Sequence, residues 1–235
     1  MRAVLEGLAK YSHLINQDFF GDVLEVLKDL ISEAEASLLP DDEDDDGEEI
    51  DIDAAVERNV TRESLLCIIT AFALLKGQHD VAKSANTLSL DLNFFITHLY
   101  RKVNVATTTV LLLRSLHSVL SPPTATKSVS PVRIAAFVKQ LMSASLHLPQ
   151  KSTIAVQSLL REVTKTHAGK VAALWNTEER RGNGVFDATG AAVESSNPFA
   201  ATVWEGELLR LHFDPRVREA VHGVEQNVII KPEGR

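Results

Sequence analysis

The densest set of chemically capable side chains is the acidic run from Pro40 to Asp53, which holds ten carboxylates. Asp42, Asp44, Asp46, Gly47 and Asp53 fall at positions 1, 3, 5, 6 and 12 of an EF-hand loop, the spacing that would wrap a calcium ion. The match fails where it matters. Position 12 carries the short Asp53 in place of the longer glutamate that reaches the ion bidentately, and Glu49 occupies position 8, where an apolar residue is usual. So many acids satisfy an acid-spaced template by composition alone. Their mutual repulsion opposes compaction, so residues 40–58 read as a solvated acidic loop.

Nucleophilic and metal chemistry find little support. Cys67, the single cysteine, lies inside Leu65-Leu66-Cys67-Ile68-Ile69, where burial raises a thiol pKa and makes it inert. Of the eight histidines none forms an HExxH pair, and there is no CxxC. His98, His117, His147 and His167 sit beside helical stripes and read as structural. Gly182-Asn183-Gly184 lacks the third glycine, the preceding strand and the lysine of a phosphate loop. Its neighbours Arg180 and Arg181 are suited either to a phosphate contact or to the carbonyls of a helix ending near Trp175. The expectation is therefore no catalytic site, no metal, no cofactor and no small-molecule substrate.

Charge is the stronger signal. Residues 1–100 carry 7 Lys/Arg against 21 Asp/Glu, residues 101–181 carry 12 against 3, and residues 182–235 carry 5 against 8. Between Asp91 and Glu162 there is no acid at all. A basic block in an acidic chain suits the phosphates of RNA or an acidic protein partner, and both readings stay open. The candidate contacts are Arg101, Lys102, Lys127, Lys151, Lys165, Lys170, Arg180 and Arg181. Aromatic residues such as Phe72, Phe94, Phe95 and Phe137 fall within apolar stripes, so they belong to the core before they serve as base-stacking platforms. Any nucleic-acid contact would then be to phosphates.

The elements that must carry these residues are helices. Phe20, Val23, Leu24, Leu27, Leu30, Ile31 and Ala34 recur at three- and four-residue steps. Asn16 is placed to cap that helix, Ile15 to staple onto Phe20, and Pro40 to end it. Ser130-Pro131 marks another start, followed by Ile134, Phe137, Val138 and Leu141. Val156, Leu159, Leu160 and Val163 form the next stripe, with Gly169 as its expected stop. Leu65–Leu75 and Val110–Leu120 are apolar nearly all round and belong at the centre of a packed layer.

About nine helices follow, near 2–14, 17–38, 62–76, 91–103, 108–120, 131–147, 150–167, 202–213 and 215–225, with no convincing strand. Short connectors between successive helices predict an all-α chain, an α-solenoid of stacked antiparallel pairs of the HEAT/ARM kind, although no repeated signature is visible. One repeat domain is expected over 1–227, interrupted by the acidic loop and an irregular loop at 176–198, with a tail at 228–235. With 45% hydrophobic residues among 235, the chain can bury a substantial core. The longest apolar stretch is about half a membrane span. The amino terminus shows no signal peptide, and a single cysteine favours a reducing compartment, so the chain reads as soluble and intracellular.

The C-terminal segment has a recognisable spelling. Asn197-Pro198 and Trp204-Glu205 precede Leu208-Leu209, then His212-Phe213, Pro215 and Val217. This resembles the signature that closes the CCAAT-binding-factor-type domain of nucleolar assembly factors, which would span about residues 60–225. Trp204, Leu208 and Leu211 are expected to form one buried face, Asp214 to cap the helix that Pro215 begins, and His212 to hold the corner between them. Gly206 departs from the pattern, which usually has an apolar residue there.

The resemblance implies a non-catalytic helical scaffold in the nucleus and nucleolus. Its task would be large (60S) ribosomal subunit assembly and intranuclear transport of precursors. It further implies a heterodimer with nucleolar complex protein 2, contacts with pre-60S particle proteins, chromatin binding and a role in initiation of DNA replication. Contact with pre-rRNA through the basic block completes the leading reading. A purely protein-binding module with no RNA contact is the alternative.

Overall fold

The computed structural model describes residues 2–11, 14, 19–36, 54–75, 106–121, 129–176, 182–187 and 195–229. Among them there is no strand, as the helical periodicity predicts. The acidic run with its EF-hand spacing, the helix expected over 91–103, the Asn16 cap and the connector after Ser121 lie outside the described residues, whereas residues 54–58, expected in the acidic loop, are already helical. The helices fall into two compact units.

The first unit contains α1 (Arg2–Tyr11), α2 (Phe20–Ala36), α3 (Ala54–Leu75) and α4 (Ala106–Leu120). α3 packs against each of the other three, which is why its second half is apolar on every side. Leu65, Ile68 and Leu74 have almost no solvent contact, and Leu27 and Ile31 bring the α2 stripe into the same core. The Thr70 hydroxyl is placed to donate to the Leu66 carbonyl at 2.7 Å and the Leu5 carbonyl at 3.2 Å, tying α1 to α3. α4 departs from the expectation of a central helix. Its main neighbour is α3, so Leu112, Leu116 and Leu120 are buried while Val110 is 54% exposed.

The second unit contains α5 (Pro131–Ser145), α6 (Gln150–Val171), α7 (Glu205–Arg210) and α8 (Pro215–Glu225), with 3-10 turns at Ala172–Leu174 and Pro198–Ala200. Pro131 opens α5 at its first position. Ser130 contributes its carbonyl, which accepts from the Ile134 amide at 3.1 Å, and makes no side-chain cap. A four-residue link joins α5 to α6. It is held by the Thr153 hydroxyl, close to the carbonyls of Ser145, Leu148 and Pro149, and by Gln157, whose amide donates to the Ser145 hydroxyl at 3.1 Å.

Gly169 does not end α6. The backbone breaks instead at buried His167 (φ −123°, ψ 27°), and the helix resumes to Val171 and the following 3-10 turn. Val171 and Leu174 are both fully buried, and that burial draws the chain inward past the glycine. α8 packs along α6, and α7 bridges α8 and α5.

Candidate functional site

The segment from Trp204 to Val217 is organised around a charge that has left water. Lys139 lies on α5 among the core positions and is 3% exposed. Its ammonium donates to Glu205 Oε1 at 2.6 Å, Glu205 Oε2 at 2.8 Å and the Thr202 carbonyl at 2.8 Å, which uses all three of its protons. The Ser143 hydroxyl also donates to Glu205 Oε1. Glu205 is fully buried in consequence.

This overturns the expected packing of the segment. One helical residue is a rotation of about 100°, so turning Glu205 inward turns Trp204 out, together with Leu208 and Leu211 at the fourth and seventh positions beyond it. Trp204 is 53% exposed, Leu208 52% and Leu211 83%, while Leu209 and Val203 take the inward positions. The opposite rotation would bury these three but expose Leu209 and Val203, a net gain of one large apolar side chain or about 1.5–3 kcal/mol. It would also strand Lys139 in the core without a counter-charge, at about 3–5 kcal/mol. The indole is not idle on the outside, since Lys139 Nζ lies 5.2 Å from its ring centroid in a cation–π contact.

Gly206 is what lets α7 sit so close. A Cβ there would lie 2.9 Å from Glu225 Oε1. Glu225 is itself buried, and its Oε2 accepts from Arg210 Nε and Nη2, each at 2.8 Å. The hydrogen bond that Arg210 donates to Glu225 is the main reason that the Arg210 pKa is raised. The glycine that departs from the family spelling thus makes room for a carboxylate.

The corner after α7 matches its sequence reading. His212 Nδ1 accepts from the Asp214 amide at 3.0 Å, and Asp214 Oδ1 accepts from the Arg216 amide at 2.8 Å, capping α8 where Pro215 begins it. Hydrogen bonds from the Arg216 side chain, then from its amide, hold the Asp214 carboxyl below its ordinary pKa. Arg218 Nη1 donates to the His212 carbonyl at 2.7 Å and the Phe213 carbonyl at 3.1 Å. Phe213 stacks on the His212 ring at 4.3 Å and is otherwise 80% exposed. Val217 is buried at the base of α8.

Trp204, Leu208 and Leu211, spaced along one helical face, thus form an exposed apolar ridge, with Phe213 exposed two residues beyond it and Glu207, Arg210, Arg216 and Arg218 in the same stretch of chain. Contiguous apolar surface rimmed by polar groups characterises protein contact sites. The ridge can bury area against another surface, and it contains no group arranged for bond-breaking chemistry.

The basic residues are dispersed by comparison. Lys151 and Lys165 are exposed on α6, about 21 Å apart along the axis and about 40° apart around it. Arg161 is exposed between them, with its side chain laid over Gly223. Lys170 is partly occupied elsewhere: its ammonium donates to the Val129 carbonyl at 2.8 Å, and burial lowers its pKa. Arg101, Lys102, Lys127, Arg180 and Arg181 lie outside the described residues.

Lys139 is the important residue that sequence reasoning missed. The signal was available: a lysine beside Val138 within an apolar stripe, in a stretch with no acid between Asp91 and Glu162, needs a carboxylate from a distant segment.

Two other motifs resolve as structure. The Cys67 thiol is buried, and desolvation, then Glu63, pushes its pKa up to about 11. Gly182 lies so close to the Pro198–Ala200 turn that a Cβ would meet Ala200 N and Phe199 C at 2.6 Å. The Asn183 carbonyl accepts from Asn197 Nδ2 at 2.7 Å, and Gly184 takes φ +99°. This glycine pair serves close backbone packing and a left-handed turn, not a phosphate. Among the described residues no group of His, Cys, Asp and Glu is arranged to hold a metal, and no helix is long and apolar enough to cross a membrane.

Comparison with known proteins adds a family match and three relatives. Residues 64–221 match the model of the CBF/Mak21 family. The chain is 34% identical to the nucleolar complex protein 3 homolog of Homo sapiens, covering 98% of this chain and 26% of the human protein. The Danio rerio homolog is also 34% identical, over 93% of this chain and 24% of its own length. Nucleolar complex-associated protein 3 of Saccharomyces cerevisiae is 29% identical over 94% of this chain. The chain spans about a quarter to a third of the length of these relatives.

Proposed function

The chain belongs to the CBF/Mak21 family, and from that premise we propose that it is a non-catalytic assembly module of ribosome biogenesis in the nucleolus. The address rests on relatives named nucleolar complex proteins. At the finer level it holds nucleolar complex protein 2 as a heterodimer within the pre-60S particle, acts in intranuclear transport of pre-ribosomes, and has a further role on chromatin in initiation of DNA replication. Its helix pairs stack as a HEAT/ARM-like array.

The observation that carries the protein-binding reading is the ridge of Trp204, Leu208 and Leu211, with Phe213 beyond it, apolar and open to solvent within the segment that spells the family. Aromatic and leucine side chains of this kind anchor protein interfaces through the area they bury. Co-purification of nucleolar complex protein 2 with Trp204→Ala/Leu208→Ala is the test. Loss of about 2 kcal/mol or more of binding, with helix content retained, is the expected result. Undiminished binding overturns the reading.

Contact with pre-rRNA is a second reading, favoured by Lys151, Arg161 and Lys165, which α6 exposes without an ion pair to an acid among the described residues. Salt titration of RNA binding tests it. A log–log slope that falls by about one for each lysine replaced supports phosphate contact, and a slope near zero rejects it.

A further inference from the structure

α7 has two faces that compete for the interior. Counted by apolar side chains, Trp204, Leu208 and Leu211 should win over Glu205, Gly206 and Leu209. They lose, and Glu205 is fully buried against Lys139. We propose that the Lys139–Glu205 pair is a positioning device that selects the inward face of α7 and thereby presents the Trp204–Leu208 ridge to a partner.

Three observations support the assignment. The pair is complete, with every ammonium proton and both carboxylate oxygens engaged, so it is satisfied in only one rotation of the helix. It joins two segments 66 residues apart, so it fixes α7 to α5 directly. The displaced indole then packs over the same ammonium, which braces Trp204 in its outward position. A polar interaction of this kind specifies one arrangement among several that apolar burial alone would allow.

The value of the device for docking rests on the proposed function, whereas its effect on Trp204 does not, so the two are measured separately. The chain has two tryptophans, and Trp175 has a buried indole N–H with no partner, which makes Trp175→Phe a mild change. In that variant Trp204 is the only indole. Lys139→Met/Glu205→Leu in the full chain removes the charges while keeping the volume. α7 is then expected to rotate, and acrylamide quenching of Trp204 to fall about fivefold as a half-exposed ring becomes buried. Adding Leu208→Glu, which cannot follow it inward, is expected to restore quenching.

A helical double variant with Trp204 as quenchable as before overturns the proposal, because packing alone would then set the rotation. Should that variant not fold, Lys139→Leu/Glu205→Met poses the same question with a different apolar filling: reduced quenching supports the device and unchanged quenching overturns it. Altered quenching with partner binding intact leaves the device standing and removes the ridge as the docking face. Unaltered quenching with partner binding lost to Trp204→Ala does the reverse.

Discussion

Lys139→Met alone is expected to be among the most damaging single substitutions in the second unit. It deletes the counter-charge of a carboxylate with no solvent exposure and leaves Glu205 the Ser143 hydroxyl as its side-chain partner among the described residues. Breaking a buried pair from one side costs about 3–5 kcal/mol, because the remaining charge can neither reach water nor find a partner. For a unit of roughly this size each kcal/mol moves the melting temperature by about 4 °C, so the expected fall is about 12–20 °C. Glu205→Leu strands the ammonium and should cost a similar amount.

The double variant removes both desolvation penalties and adds apolar packing. Its stability is expected within about 1 kcal/mol of the parent or above it. Urea unfolding of the four proteins, followed by helical circular dichroism, closes the cycle. A favourable coupling of about 3 kcal/mol or more is the expected result. A double variant as weak as the weaker single would refute the reasoning, since the damage would then come from lost shape and not from an uncompensated charge.

Other outcomes follow from the same geometry. Asp214 has a depressed pKa in the folded chain, so its contribution is present above its ordinary value of 3.8 and is lost as pH falls through the lower folded value. Asp214→Asn, which can still cap, should therefore flatten the acid limb of a stability–pH profile while changing little at neutrality. Cys67, with its thiol near 11, should resist a thiol-reactive dye at mildly alkaline pH and react on unfolding; rapid labelling of the native chain would contradict its burial. Gly182→Ala forces a methyl into the backbone of Phe199 and Ala200 and should lower stability by about 2–3 kcal/mol, read in the same urea assay.

The helices were legible because apolar periodicity is a local property. The spacing of Leu27 and Ile31, and of Ile134, Phe137, Val138 and Leu141, identifies the buried faces correctly, and the all-round apolarity of Leu65–Leu74 marks the helix that others surround. Caps that depend on one or two neighbours, such as Asp214 on α8, were equally readable.

What failed were features decided across the fold. Periodicity assigned Trp204, Leu208 and Leu211 to the interior, yet a lysine 66 residues away from Glu205 reverses the choice. Gly169 looked like a stop, but buried Val171 and Leu174 outweigh its local preference. The charge block at 101–181 was visible as composition, but composition does not tell a solvent-facing Lys165 from Lys139, which is held inside the core. Family spelling located the important segment without revealing which way its side chains turn.

The uncovered ridge also bears on the chain's life outside an assembly. Four large greasy groups left bare invite chance adhesion to any similar surface, so the protein produced alone should clump as its concentration rises and be cleared by quality control. Its steady-state amount would then track the supply of any surface that covers the ridge.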